Sequence, residues 1–112
     1  MRDSPECVGF AARLLGDKDP GVSIEAGATI LCAVEMDVDV LQAMPALKKA
    51  LLYDEHDQVR LFVAKIFHQL ALKAYNISDA HMVLESAYEK DSYEPVRLTA
   101  ENALIAAGRP PQ

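Results

Sequence analysis

The turn Asp54-Glu55-His56-Asp57 sets three carboxylates and an imidazole side by side. Oxygen-rich turns of this kind can hold calcium or magnesium. A calcium loop, however, needs alternating ligands, a central glycine and a distal glutamate, and none of these is present. The turn therefore reads as structural: Asp57 caps the helix that follows and Asp54 supports the turn, and no metal is expected. His56, His68 and His81 share no i, i+4 spacing and read as solvated or singly hydrogen-bonded. Cys7 and Cys32 are the only cysteines, and in a chain without a secretion signal they read as buried small hydrophobes. A Cys/His nucleophile pair would meet in space and not in sequence, so spacing leaves it open, but no motif points to one. The five glycines are dispersed, which excludes a phosphate-cradling loop. No catalytic residue and no cofactor is expected, and the chain reads as a non-enzyme.

Charge narrows the partners. Seventeen acidic and eleven basic residues give a net charge of −6, and the basic residues are scattered, with Lys48-Lys49 the densest pair. A phosphate-backbone partner needs clustered Lys and Arg, so nucleic acid is not expected. The opening Met-Arg-Asp-Ser-Pro-Glu is too polar for a signal peptide, and no apolar run approaches 18 residues. No membrane partner is expected, and the default address is cytoplasmic.

The elements that must position these groups follow a fixed interval. Asp17, Asp54 and Asp91 stand 37 residues apart, as do Val22, Val59 and Val96. Around them run the columns Phe10/Leu47/Leu84, Leu14/Leu51/Tyr88, Ala26/Val63/Ala100, Ile30/Phe67/Leu104 and Ala33/Leu70/Ala107. A period in this range marks a repeat array, whose units bury their apolar faces against one another. The expected layout is a single domain, 1–112, of three ungapped repeats near 1–37, 38–74 and 75–108, ending in a short Pro-rich tail. Within each unit the apolar residues recur at helical spacing, for example Val59, Val63, Ile66, Phe67 and Leu70. The spacing predicts helices near 5–15, 20–35, 40–52, 57–73, 79–90 and 95–107. Ser4 and Ser78 read as N-caps of first helices, Asp19-Pro20 and Pro95 open second helices, and Gly108 with Pro110-Pro111 is a stop signal. Pro45 falls inside an apolar helical pattern and predicts a kink or a late helix start.

The stretches "LQAMPALKKALLYDEHDQVRLFVAKIFHQLA" and "LESAYEKDSYEPVRLTAENALIAAG" resemble HEAT repeats, and "FAARLLGDKDPGVSIEAGATILCAV" resembles a divergent third. The most specific likeness is an aspartate and an arginine six residues apart, Asp54/Arg60 and Asp91/Arg97. The resemblance implies an all-α fold, an α-α superhelix (a short solenoid) of three HEAT-like antiparallel helix pairs stacked with right-handed sense. It also implies a structural ladder of Asp17, Asp54, Asp91, Arg60 and Arg97 between successive turns. Arg60 is expected to reach Asp17 or Asp54, and Arg97 to reach Asp54 or Asp91. Unit one departs from the pattern, because Ser23 stands where the arginine would be.

What remains is surface. At 100° per residue, positions two, six and nine beyond Val22/Val59/Val96 point away from the partner helix. These columns are Ile24/Leu61/Leu98, Ala28/Lys65/Asn102 and Leu31/His68/Ile105. In a solenoid the second helices line the concave side, so Leu61, Lys65, His68, Leu98 and Ile105 are the expected contact residues for a protein or peptide partner, in a scaffold, adaptor or assembly factor. Three alternatives stand beside this reading: a HEAT-like lyase or maturation-type enzyme subunit, a section of a longer solenoid, and self-association through the repeat ends.

Overall fold

The computed structural model describes residues 5–110, and among them every regular element is helical. Helix α1 (Pro5–Leu14) pairs with α2 (Pro20–Glu35), α3 (Met44–Tyr53) with α4 (Asp57–Leu72), and α5 (His81–Lys90) with α6 (Glu94–Ala106). Single 3-10 turns, Leu41–Ala43 and Ser78–Ala80, lead into α3 and α5. The second helices form a continuous layer in the order α2, α4, α6, and α3 packs on α5 in the other layer.

Local chemistry explains the boundaries. Each turn between paired helices begins with an aspartate whose carboxylate accepts the N–H two residues on: Asp17 from Asp19, Asp54 from His56, Asp91 from Tyr93, each at 2.9 Å. Asp19 is the N-cap of α2 and accepts from the Gly21 N–H. Asp39 and Asn76, also 37 residues apart, do the same for Leu41 and Ser78 at the 3-10 turns. Pro45 lies in the first turn of α3, where its missing N–H costs nothing, so the late start holds. Two expected caps do not: Asp57 is the first residue of α4, after His56 as N-cap, and Ser78 opens the 3-10 turn and does not cap α5. In both places the side chain that takes the N–H stands earlier, at Asp54 and Asn76. The cap expected at Ser4 lies outside the described residues.

The second helices end alike. Val38, Tyr75 and Arg109 donate to the carbonyls of Ala33, Leu70 and Leu104, five residues back, at 2.8–3.0 Å. Such an ending places the preceding residue in the left-handed region, and Asp37 (φ 61), Ala74 (φ 66) and Gly108 (φ 78) occupy it. Only the third is glycine. Ala74→Gly is expected to stabilise the fold by about 0.5–1 kcal/mol, because it relieves the Cβ clash of a left-handed alanine. Urea unfolding checks this; a loss of stability would show that the Ala74 methyl is needed elsewhere.

The core joins the two layers. Ile30, Leu47, Leu51, Val63, Ile66, Phe67, Leu84 and Leu104 are all fully or almost fully buried within one cluster. The buried positions keep the period of 37 from α2 to α6, but α1 departs from it. The buried residues of α1 are Val8 and Ala11, which stand 39 residues before Leu47 and Ala50. Phe10, in the column of Leu47 and Leu84, points to solvent with Arg13 over its ring. The helix stops at Leu14, and Leu15 with Gly16 (φ 94) form an extra bend before Asp17. The first unit is therefore not in ungapped register: Leu15 and Gly16 are two residues more than the other turns have. As a result α1 meets the 3-10 turn at Leu41–Ala43 and only grazes α3. The approach is close, for a Cβ on Gly9 would fall 2.8 Å from Oε1 of Gln42.

Candidate functional site

The five expected contact residues lie on one side of the second-helix layer. The inward residues Val59 and Val96 are buried, as the helical spacing requires. On α4, Leu61 and His68 are half-buried and Lys65 is exposed. On α6, Leu98 and Ile105 are each 52% exposed. Ile24 and Leu31, the counterparts on α2, are half-buried against the core. The apolar stripe is thus partly covered on α2 and α4 and open on α6. Leu72, 58% exposed, was missed by the sequence reading. It lies thirteen residues after Val59 and extends the row Leu61, Lys65, His68 by one more helical step, so the same periodicity contains the signal. The row mixes aliphatics with one cation and one imidazole.

The arginines tie the turns together: Arg60 reaches Asp54 and Arg97 reaches Asp91, as expected, but through the backbone carbonyls, and Arg60 also reaches forward to Asp91. Arg60 does not reach back to the Asp17 or Asp54 carboxylate. Its Nε and Nη2 donate to the two Asp91 carboxylate oxygens at 2.9 and 3.1 Å, and its Nη1 donates to the Asp54 backbone carbonyl at 2.9 Å. Arg97 donates through Nη1 to the Asp91 carbonyl at 2.7 Å. Each arginine therefore closes its own turn through the carbonyl, and Arg60 also clamps the next unit through the carboxylate. The reason is local: each aspartate is held by its own i+2 N–H bond, which fixes where its carboxylate faces. The pair is well sheltered, with Arg60 and Asp91 side chains 12% and 6% exposed, and is bidentate.

A second link joins the far ends of α2 and α4. Lys73 Nζ lies 2.9 Å from the Asp37 carboxylate and donates to the carbonyls of Val34 and Glu35 at 3.1 Å, so a cation sits on the α2 C-terminus. The Tyr75 hydroxyl donates to Asp37 at 2.9 Å. The hydrogen bond from Lys73, then that from Tyr75, holds the Asp37 carboxyl below the usual carboxylate range. The same bond to Asp37 pushes the Tyr75 phenol up. The arrangement is a helix-end clasp.

The remaining chemical groups stay apart. His56 lies against Asp54 (Nδ1 to Oδ1, 3.4 Å) and His81 against Glu85 (3.4 Å), while His68 sits in the stripe. Cys7 and Cys32 are both exposed, which corrects the expectation that they are buried; Val8 and Ala11 take the inward face of α1, and Ala33 and Val34 that of α2. Among the described residues no three His, Cys, Asp or Glu side chains gather as a metal site, and no helix is long and apolar enough to cross a membrane.

Among known proteins the chain matches no family model, no curated sequence and no solved structure.

Proposed function

We propose that this chain is a non-enzymatic protein-interaction module, a short HEAT-like superhelix that holds a protein or peptide partner along the concave face lined by its second helices α4 and α6. The observation that carries the reading is the exposure of Leu72 on α4 and of Leu98 and Ile105 on α6, each more than half exposed, with Leu72 at helical spacing from Leu61, Lys65 and His68 and Leu98 and Ile105 standing 37 residues after Leu61 and His68. Single exposed aliphatics are ordinary on a soluble protein, but a set recurring at these spacings marks a surface that a partner covers. The matching partner is a segment with apolar anchors that spans the two helices and carries an acidic group for Lys65. Repeat architecture supports this reading, because stacked helix pairs build extended surface from few residues.

The test begins with a partner captured by the full chain. Leu98→Asp combined with Ile105→Asp is expected to weaken its binding by at least about 2 kcal/mol, as loss of central apolar anchors does. The fold is expected to persist, because both side chains are largely solvated. Leu61→Asp differs: Leu61 is half-buried against the core, so it lowers the melting temperature as well. Isothermal titration with the partner, alongside thermal melts, checks this. Unchanged affinity in the Leu98/Ile105 double variant would show that the partner lies elsewhere, and turnover of a substrate by the purified chain would overturn the reading entirely.

A further inference from the structure

The turns that start at Asp54 and Asp91 are near copies. Each aspartate directly follows a first helix in extended backbone, at φ −66, ψ 135 and φ −65, ψ 137. Each holds the N–H two residues on. Asp91 then receives the guanidinium of Arg60 across both carboxylate oxygens. Asp54 receives none, because Ser23 stands 37 residues before Arg60 and its Oγ turns back to accept the Gly16 N–H at 2.9 Å. The Asp54 side chain is nevertheless only 7% exposed, as sheltered as that of Asp91. Its Oδ1 serves the His56 N–H and lies 3.4 Å from the His56 imidazole; its Oδ2 accepts no bond from the described residues and, not being shut away from solvent, is open to an outside donor.

A groove of about 690 Å³ opens beside this carboxylate, between the ends of α1 and α3. Gly16, Asp17 and Lys18 line one wall, and Lys49, Asp54 and His56 line the other. The offset of α1 accounts for it, since the bend at Leu15-Gly16 carries the first turn away from α3. Lys18 and Lys49 are at hand, yet neither forms an ion pair with Asp54. An ammonium is a point charge. The neighbouring rung instead shows two carboxylate oxygens and a backbone carbonyl arranged for a planar fork.

We propose that this groove binds a guanidinium group from outside the chain. The fork meets the Asp54 carboxylate and a remaining nitrogen donates to the Asp17 carbonyl, just as Arg60 joins the Asp91 carboxylate to the Asp54 carbonyl. The group can be carried by an arginine side chain of a partner protein or by a small free guanidino compound. This site lies at the turns of the first two hairpins and shares no residue with the α4–α6 stripe.

The experiment titrates the 15N-labelled full chain with agmatine, with N-acetyl-arginine methylamide, and with N-acetyl-lysine methylamide as the ammonium control. Both guanidinium probes are expected to shift the amides of Gly16, Asp17, Asp54 and His56 with saturation at roughly 1–10 mM, the range for a single charge-assisted fork. A stronger response to the arginine amide identifies a protein partner as the source, and a stronger response to agmatine identifies a free small molecule. Asp54→Asn keeps the shape and the turn bond and is expected to weaken the response about tenfold or more. Ser23→Arg supplies the guanidinium within the chain and is expected to remove the response. If that variant does not fold, Asp54→Asn alone decides. The proposal is overturned by the absence of saturable shifts, by an equal response to the lysine amide, or by an undiminished response in Asp54→Asn.

Discussion

Phe67→Ala is expected to cost about 4 kcal/mol of unfolding free energy, the largest loss from any single truncation in this chain. Phe67 is fully buried on α4, the helix that packs against α2, α3 and α6. Removing its ring therefore leaves a cavity where all three hairpins meet, and the neighbouring turns of α4 are too rigid to close it. Phe10→Ala provides the contrast. Phe10 belongs to an apolar column of the sequence but is 59% exposed, so its loss is expected to stay within about 0.5 kcal/mol. Urea unfolding of both variants checks the pair through midpoint shifts at unchanged slope. A Phe67→Ala cost below about 1 kcal/mol would mean that the core is not centred on α4.

That contrast also marks where the sequence was legible. Helix number and spacing could be read because the apolar residues recur at helical steps between Asp, Pro and Gly signals, and these signals act locally. The register of α1 could not be read from the turn aspartates, because the repeat anchors the turn while Leu15 and Gly16 add two residues ahead of it. The signal was nonetheless present: a glycine directly after two leucines, where units two and three carry Tyr53 and Lys90. The caps at Asp39 and Asn76 share the interval of 37 and were equally open to detection. The direction of the arginine ladder was not. An aspartate six residues before an arginine and one 31 residues after it are both in reach once the chain folds, and the choice is made by the i+2 bond that turns each carboxylate. Leu98 and Ile105 could be placed on a face by angle alone. Their exposure depends on how far the neighbouring side chains spread, which spacing does not encode.

Arg60→Ala is expected to destabilise the fold by about 3 kcal/mol, and Arg97→Ala by about 1 kcal/mol, although both arginines occupy the same position in their repeats. The difference lies in what each leaves behind. Loss of Arg60 uncaps the Asp54 carbonyl and strands the Asp91 carboxylate, whose side chain is 6% exposed, with the Tyr93 N–H as its remaining donor. Loss of Arg97 removes a single bond to the Asp91 carbonyl and strands no charge. Most of the Arg60 cost is thus the desolvation of an unpaired carboxylate, and this makes a specific demand on a double variant. Asp91→Asn retains an oxygen for the Tyr93 N–H and removes the charge, so adding it to Arg60→Ala should recover about half of the loss. Chemical denaturation of the two single variants and the double variant measures the coupling. Equal costs for Arg60→Ala and Arg97→Ala, or no recovery in the double variant, would show that Arg60 acts by packing its stem and not by clamping one hairpin to the next.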